Sequence, residues 1–219
     1  MQSAVTPPAL DADWDAPSWR NIEPATITHW YPEGVEHRPH TQAKLQYDDD
    51  HLYVHFRVED RYVRCIRTEY EQPVCRDSCV EFFVEPKPDH GYFNFEINAI
   101  GTLLLTYIED ATRTHEGFVK FTKVPWDLAK DIAIRPAFNG PIDPERSEPV
   151  TWTTAYRIPL SLFAHYVGDL GHLPGQHWRG NFYKCADESS HPHWGAWAPI
   201  GDELNFHQPR QFVALRFGN

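Results

Sequence analysis

Apolar and polar residues alternate along much of this chain with a period of two. In Leu52-Tyr53-Val54-His55-Phe56-Arg57-Val58 the even positions are apolar and the odd ones mostly polar. Successive side chains on a strand point to opposite faces, so this run predicts a half-buried strand. Asp48-Asp49-Asp50 favours a turn just before it, so residues 44–47 and 52–58 predict a hairpin. Residues 79–84 and 92–98 predict two more strands, joined by a Pro- and Gly-containing link. In the second of them Phe93, Phe95 and Ile97 form one face, and Tyr92, Asn94, Glu96 and Asn98 the other. Residues 103–108, 132–138, 152–158, 178–185 and 212–217 bring the total to nine or ten strands.

Helix is scarce: one short turn at residues 159–163, opened by Pro159, is the only candidate. Short strands, Pro- and Gly-rich turns and no alternating helices predict an all-β, antiparallel β-sandwich of the immunoglobulin-like or jelly-roll type. No boundary or repeat divides the chain, so residues 1–219 read as one domain. Residues 60–77, 109–131, 139–150 and 186–211 read as long polar loops, which in compact domains are often functional.

Composition sharpens this picture. Aromatics reach 14% with 19 Pro and a single Met, a balance that favours strands and structured loops. The net charge of −11 argues against nucleic acid and against anionic membrane surfaces, both of which need a basic face. No apolar run is long enough for a membrane-spanning helix. No signal peptide is visible at Met1–Leu10, which by itself suggests a cytoplasmic protein. Cys65, Cys75, Cys79 and Cys185 lack Cys-x-x-Cys spacing and so do not predict a zinc site. Cys65 and Cys75 could staple a loop, or all four could be free thiols.

Two places could carry recognition chemistry. The last loop contains His191-Pro-His193-Trp194-Gly195-Ala196-Trp197, a segment too rich in Gly and Pro to predict a strand. Trp194 and Trp197 therefore either close the core or form a platform for a ligand with an apolar face, such as a sugar ring. The polar face of residues 92–98 is the second place. Asn94, Glu96 and Asn98, with Glu81 on the preceding strand, offer amides and carboxylates suited to neighbouring hydroxyls, or else form a solvated outer face. Glu81 and Glu96 could also be the acid pair of a glycoside hydrolase. Asp48 and Asp60 are candidate calcium ligands, although no EF-hand spacing is present. His37/His40 and His191/His193 invite a metal reading, but no metal-site spacing appears and a surface or capping role fits each of them. A haem- or other redox-cofactor-binding sandwich is a further alternative, and it would need an unspecified histidine pair as axial ligands because the one Met is Met1. Phosphate-loop, dinucleotide and nucleophile-elbow motifs are absent.

The order of several segments resembles family 9 carbohydrate-binding modules. These are Asp11-Ala-Asp-Trp-Asp-Ala-Pro-Ser-Trp19; Tyr47-Asp48 with Leu52-Tyr53-Val54 and Val58-x-Asp60; Asp77-Ser-Cys-Val-Glu-Phe-Phe-Val84; Tyr92-x-x-x-Glu96-Ile-Asn98 with Gly101; Trp152–Tyr156 with Ile158-Pro-Leu160; Trp178–Cys185; and Phe206-His-Gln-Pro209-x-x-Phe212. The resemblance implies a non-catalytic β-sandwich that binds a mono- or oligosaccharide, calcium in some members, and a polysaccharide-degrading enzyme, often a xylanase, as partner. It also implies a secreted or periplasmic setting. In the family two Trp clamp a terminal sugar, with Glu, Arg and Asn completing the pocket. Glu81 and Asn98 match the Glu and one Asn, and Trp194 is the candidate for the later Trp. Cys75 stands where the earlier Trp would be, and Glu96 where the Arg would be.

Overall fold

The computed structural model describes residues 1–4, 6–10, 13–115 and 117–218. Asp11, at the start of the first resemblance segment, lies outside them. In chain order the strands are β1 (Gln2–Ser3), β2 (Ala25–Thr26), β3 (His29–Trp30), β4 (His40–Tyr47) and β5 (His51–Asp60). They continue as β6 (Val63–Cys65), β7 (Cys79–Glu85), β8 (Tyr92–Asn98), β9 (Leu103–Thr114) and β10 (Gly117–Lys123). The rest are β11 (Ala133–Pro136), β12 (Ile142–Arg146), β13 (Val150–Pro159), β14 (His177–Cys185), β15 (Trp194–Ala196) and β16 (Val213–Arg216). Helices α1 (Trp126–Ala129) and α2 (Leu160–Val167) are short.

The strands form the predicted sandwich. The first sheet runs β1-β4-β5-β13-β11, with β2 beside β4. The second runs β10-β9-β8-β7-β14-β15-β3, with β16 sharing the edge of β14 with β15. Apart from the parallel β1–β4 pair, the ladders of these two sheets are antiparallel. Val54, Phe56 and Val58 meet Phe82, Val84, Phe93, Phe95 and Ile97 in one core between the sheets. Phe182 lies flat on Phe82, ring centroids 4.9 Å apart.

The outer face of the second sheet is covered over its central strands, and that of the first sheet is covered at Tyr53 and His55 but open at Glu59, Thr151 and Arg157. On the first sheet Trp19 packs edge-on against His55, 5.1 Å between centroids, and joins Tyr53 in a small outer cluster. On the second, Ile200 and Phe212 of the C-terminal segment pack on Tyr31, Phe83, Tyr92, Ile108 and Tyr183. Every residue of β8 is buried, so Tyr92, Asn94, Glu96 and Asn98 are not a solvated face.

All four predicted loops hold strands. Residues 109–131 contain the end of β9 and all of β10, a hairpin arm in which Phe118, Val119 and Phe121 break strict period-two alternation. In residues 60–77 and 139–150, β6 and β12 pair as a separate two-stranded sheet. The Gly-rich Trp segment forms β15 because Gly195 lies opposite Trp30, whose ring would come within 2.7 Å of any Cβ there. The expected short turn at 159–163 extends into α2.

One ionic cluster sits between the sheets. Lys184 points to the core side of β14, where its Nζ lies 3.6 Å from Asp60, 2.8 Å from His193 Nε2 and 2.9 Å from the Cys185 carbonyl. Burial alone would raise the acid of Asp60. The Lys184 ammonium and the His37 hydrogen bond outweigh it and hold the group at about 2. Burial and the same ammonium push His193 well below the usual imidazole range. The neutral ring accepts from Lys184 at Nε2 and donates from Nδ1 to the His191 carbonyl, 2.8 Å away.

Removing one member of this pair leaves a buried charge without its partner. Asp60→Asn is therefore expected to cost ~3–5 kcal/mol in denaturant unfolding. The double change Asp60→Leu with Lys184→Met should cost less than the single change, and a larger cost would contradict the assignment. Because the folded-state acid of Asp60 is depressed, its contribution is present above the unfolded value. It is lost as pH falls from about 4 through about 2, on the order of 2 kcal/mol.

Candidate functional site

The outer face of the second sheet is laid out in rows by strand register. Glu81 of β7 pairs with Glu96 of β8 on one side and Tyr183 of β14 on the other. In the next row Cys79 pairs with Asn98 and with Cys185, and Cys185 pairs with Trp194 of β15. Alternation along each strand turns Cys79, Glu81 and Phe83 to this face and Val80, Phe82 and Val84 to the core. Over Glu81 and Glu96 the C-terminal segment leaves a cleft of about 200 Å³. The strand residues form its floor, and Trp194, Asp187 and Phe206 rise around it from loops and the edge strand.

Trp194 is half-buried and held in place: its Nε1–H donates to Asp187 Oδ1 at 2.7 Å. Phe206 stacks on Tyr183, 4.2 Å between centroids and 14° between planes. Arg113, Asn205 and His207 also line the cleft. His207 touches the Tyr92 hydroxyl at 2.8 Å, and burial lowers its imidazole to about 3.

The floor is acidic and dry. Both Glu81 and Glu96 are buried. Burial, above all, pushes Glu96 up to about 7, with the Asp187 and Glu71 carboxylates adding to it. Burial and the adjacent Glu96 raise Glu81 well above the usual carboxylate range. A protonated carboxyl both donates and accepts, which suits a hydroxyl ligand.

The structure brings together three of the six ligand-binding candidates: Trp194, Glu81 and Glu96 line one cleft. Asn94 acts through Glu96, donating to its Oε1 at 2.7 Å while its own carbonyl accepts the Thr106 N–H. Asn98 lies outside the cleft, with its amide consumed by the Arg67 carbonyl, Asp77 Oδ2 and the Thr102 N–H. It pins residues 67–77 to the sheet instead. Trp197 faces the opposite side, its ring 5.6 Å from Phe182 at an edge cleft with Ala43 and Leu45.

The calcium pair does not assemble. Asp48 and Asp60 lie beyond and at opposite ends of the ten-residue strand β5, roughly 30 Å apart at the rise of a strand. Asp48 accepts from the Asp50 and His51 amides and the Tyr53 hydroxyl in a turn, and the Asp60 carboxylate is taken by His37, Trp152, Arg61 and Lys184. The histidines considered for a metal are also committed. His37 bonds Asp60, both His193 nitrogens are engaged, and His191 stacks on Tyr62 at 3.5 Å. The four cysteines are free thiols, Cys65 in the core and Cys75 at the cleft.

Sequence reasoning missed Arg113, Asp187, Asn205 and Phe206. Arg113 sits on the hairpin arm and supplies a cation to the cleft, whereas the strand position at which one was expected holds Glu96. Asp187 lay within the loop singled out for its tryptophans, but nothing in the spacing shows that it bonds Trp194.

Comparison with known proteins adds an independent line. The sequence model of carbohydrate-binding family 9 matches residues 18–217. A crystal structure of a Bacteroides uniformis protein proposed to bind carbohydrate superposes with a TM-score of 0.83 at 27% identity, covering 99% of this chain and 97% of that one. A family 9 module from Caldicellulosiruptor kristjanssonii in complex with glucose shares the fold at 14% identity and a TM-score of 0.66, covering 100% of this chain and 96% of that one. The cellotriose complex of a family 9 module from the same organism gives a TM-score of 0.64 at 14% identity, with 100% and 93% covered. Among curated proteins the sequence has no match.

The buried acids set a pH dependence. Glu96 keeps its proton in the folded state up to about 7, whereas the unfolded group releases it near its ordinary value. Stability should therefore fall as pH rises through that window, by of order 3 kcal/mol. Glu96→Gln should flatten this loss and raise the melting temperature at pH 8 more than at pH 4. Equal shifts at both pH values would show that Glu96 does not hold a proton.

Proposed function

The chain belongs to carbohydrate-binding family 9, and on that premise we propose that it holds one sugar ring of a mono- or oligosaccharide in the cleft over Glu81 and Glu96, stacked on Trp194. Membership makes it a carbohydrate-binding, non-catalytic domain. The observation that supports the location is the convergence of a fixed indole and two proton-bearing carboxyls on one small cleft. A sugar presents apolar C–H faces to an aromatic ring and hydroxyls to polar groups around its rim. The volume of about 200 Å³ lies below that of pockets for drug-sized ligands and suits a single ring. Glucose and cellotriose, the ligands of the Caldicellulosiruptor modules, are the first compounds to try.

The paired glutamates do not act as a hydrolase pair in this reading. A glycosidase needs its two carboxyl groups on either side of the scissile bond, with one ionised. Glu81 and Glu96 stand side by side on neighbouring strands, reach the ligand from the same side, and both favour the neutral form. The purpose of binding is then to keep a partner polysaccharide-degrading enzyme close to its substrate.

Calorimetric titration with glucose, cellotriose and a panel of other oligosaccharides tests the proposal. Saturable binding is expected, weakened at least ~10-fold by Trp194→Ala, the equivalent of one lost stacking contact. Trp197→Phe, on the other side of the sheet, should bind as the native protein does. The reading fails if no sugar gives heat, or if Trp194→Ala binds unchanged.

A further inference from the structure

We propose that Cys79, Cys185 and Glu81 form a binding site for a thiophilic divalent metal ion of the zinc class, set into the second sheet beneath the cleft. The proposal stands apart from the sugar reading, although the two share Glu81. Cys79 and Glu81 are two residues apart on β7 and so point to the same face. Cys185 lies directly opposite Cys79 on β14. The two sulfur atoms and a Glu81 carboxylate oxygen all lie within 4.8 Å of one another. Zinc bonds of ~2.3 Å to sulfur and ~2.0–2.2 Å to oxygen would bring tetrahedral ligands to about 3.3–3.8 Å apart, within reach of small side-chain rotations.

Ligand type favours a cation of this class. The Glu96 and Asp187 carboxyls line the cleft beside the three ligands, and among the described residues Arg113 is the only Lys or Arg that lines it. Among those residues the one hydrogen bond to the Glu81 carboxylate comes from the Cys185 thiol at 3.0 Å, a weak donor. Two sulfur ligands select zinc-like ions over calcium or magnesium, which require shells of oxygen. All three groups are buried on paired strands, so little ordering remains to be done on binding. On binding, each thiol and the Glu81 carboxyl release their protons to solvent, each sulfur lone pair forms a bond to the metal, and the resulting Glu81 carboxylate supplies the third ligand. Because the sheet backs the three ligands, the fourth position faces the cleft and falls to water.

The test uses tag-free, chelator-treated, full-length protein with four reduced thiols confirmed. Cadmium is titrated first, then displaced by zinc. We expect a sulfur-to-metal charge-transfer band that saturates at one equivalent, and a higher melting temperature with metal bound. Cys79→Ser and Cys185→Ser should each weaken binding at least ~100-fold, because even changes around a metal's ligands cost ~10–100-fold. Cys65→Ser, a core thiol outside the site, should leave it intact. X-ray absorption of the zinc-loaded native protein should show two sulfur neighbours, a readout that does not depend on the variants folding. A shell of nitrogen and oxygen alone, no band at stoichiometric cadmium, or unweakened binding by both folded serine variants would overturn the proposal. Metal titration without sugar, and sugar titration of metal-free protein, keep the two readings separately testable.

Discussion

Glu81 and Glu96 face each other across two adjacent strands in a place where neither can be solvated as an ion. Side chains directly opposite on paired strands lie ~4.5–5.5 Å apart at Cβ, close enough for two negative charges to repel strongly in a water-poor setting. The sheet answers by holding protons on this pair, and Asn94 fixes one of the two carboxyls in place. Everything around the cleft follows from that constraint. The C-terminal segment covers the face beside the cleft, Asp187 orients Trp194, Arg113 acts on Glu96 and Lys184 on Glu81.

The same sheet carries a second ionic group on its other side. Along β14, Tyr183 and Cys185 face the cleft, while Lys184 between them enters the core to meet Asp60. One strand thus connects the wall of the binding cleft to the clamp between the two sheets. His193, next to Trp194, accepts from Lys184, so the edge strand that carries the indole is tied to that clamp. A rigid backing of this kind keeps an exposed aromatic platform from having to be ordered at the moment of binding.

Period-two alternation identified the sandwich and most of its central strands because their core face is continuously apolar, as in β5, β7 and β8. It failed where a strand does not alternate strictly. In the β9–β10 arm the apolar Phe118, Val119 and Phe121 do not keep a period of two, and β15 is formed by a three-residue segment in which Gly195 makes room for Trp30. It left open whether the polar face of β8 is solvated, because covering by the C-terminal segment is a long-range event with no local signature. At the site, Glu81 and Glu96 were legible from alternation and family resemblance, and Trp194 from its setting. Asn98 matched the family pattern, yet its amide secures a loop. Asp60 read as a candidate calcium ligand, because its partner Lys184 is far away in sequence and meets it only when the two sheets pack. Cys79 and Cys185 show the same limit, since ladder neighbours leave no spacing motif.

The location of the bound sugar is the central claim, and a crystal structure of the protein soaked with cellotriose tests it most directly. The account predicts one ring lying against the Trp194 indole, with hydroxyls in hydrogen-bond contact with Glu81 and Glu96 and the remaining rings leading out to solvent. A ring seated instead at Trp197 between the sheet edges, with only water over Glu81 and Glu96, would contradict it.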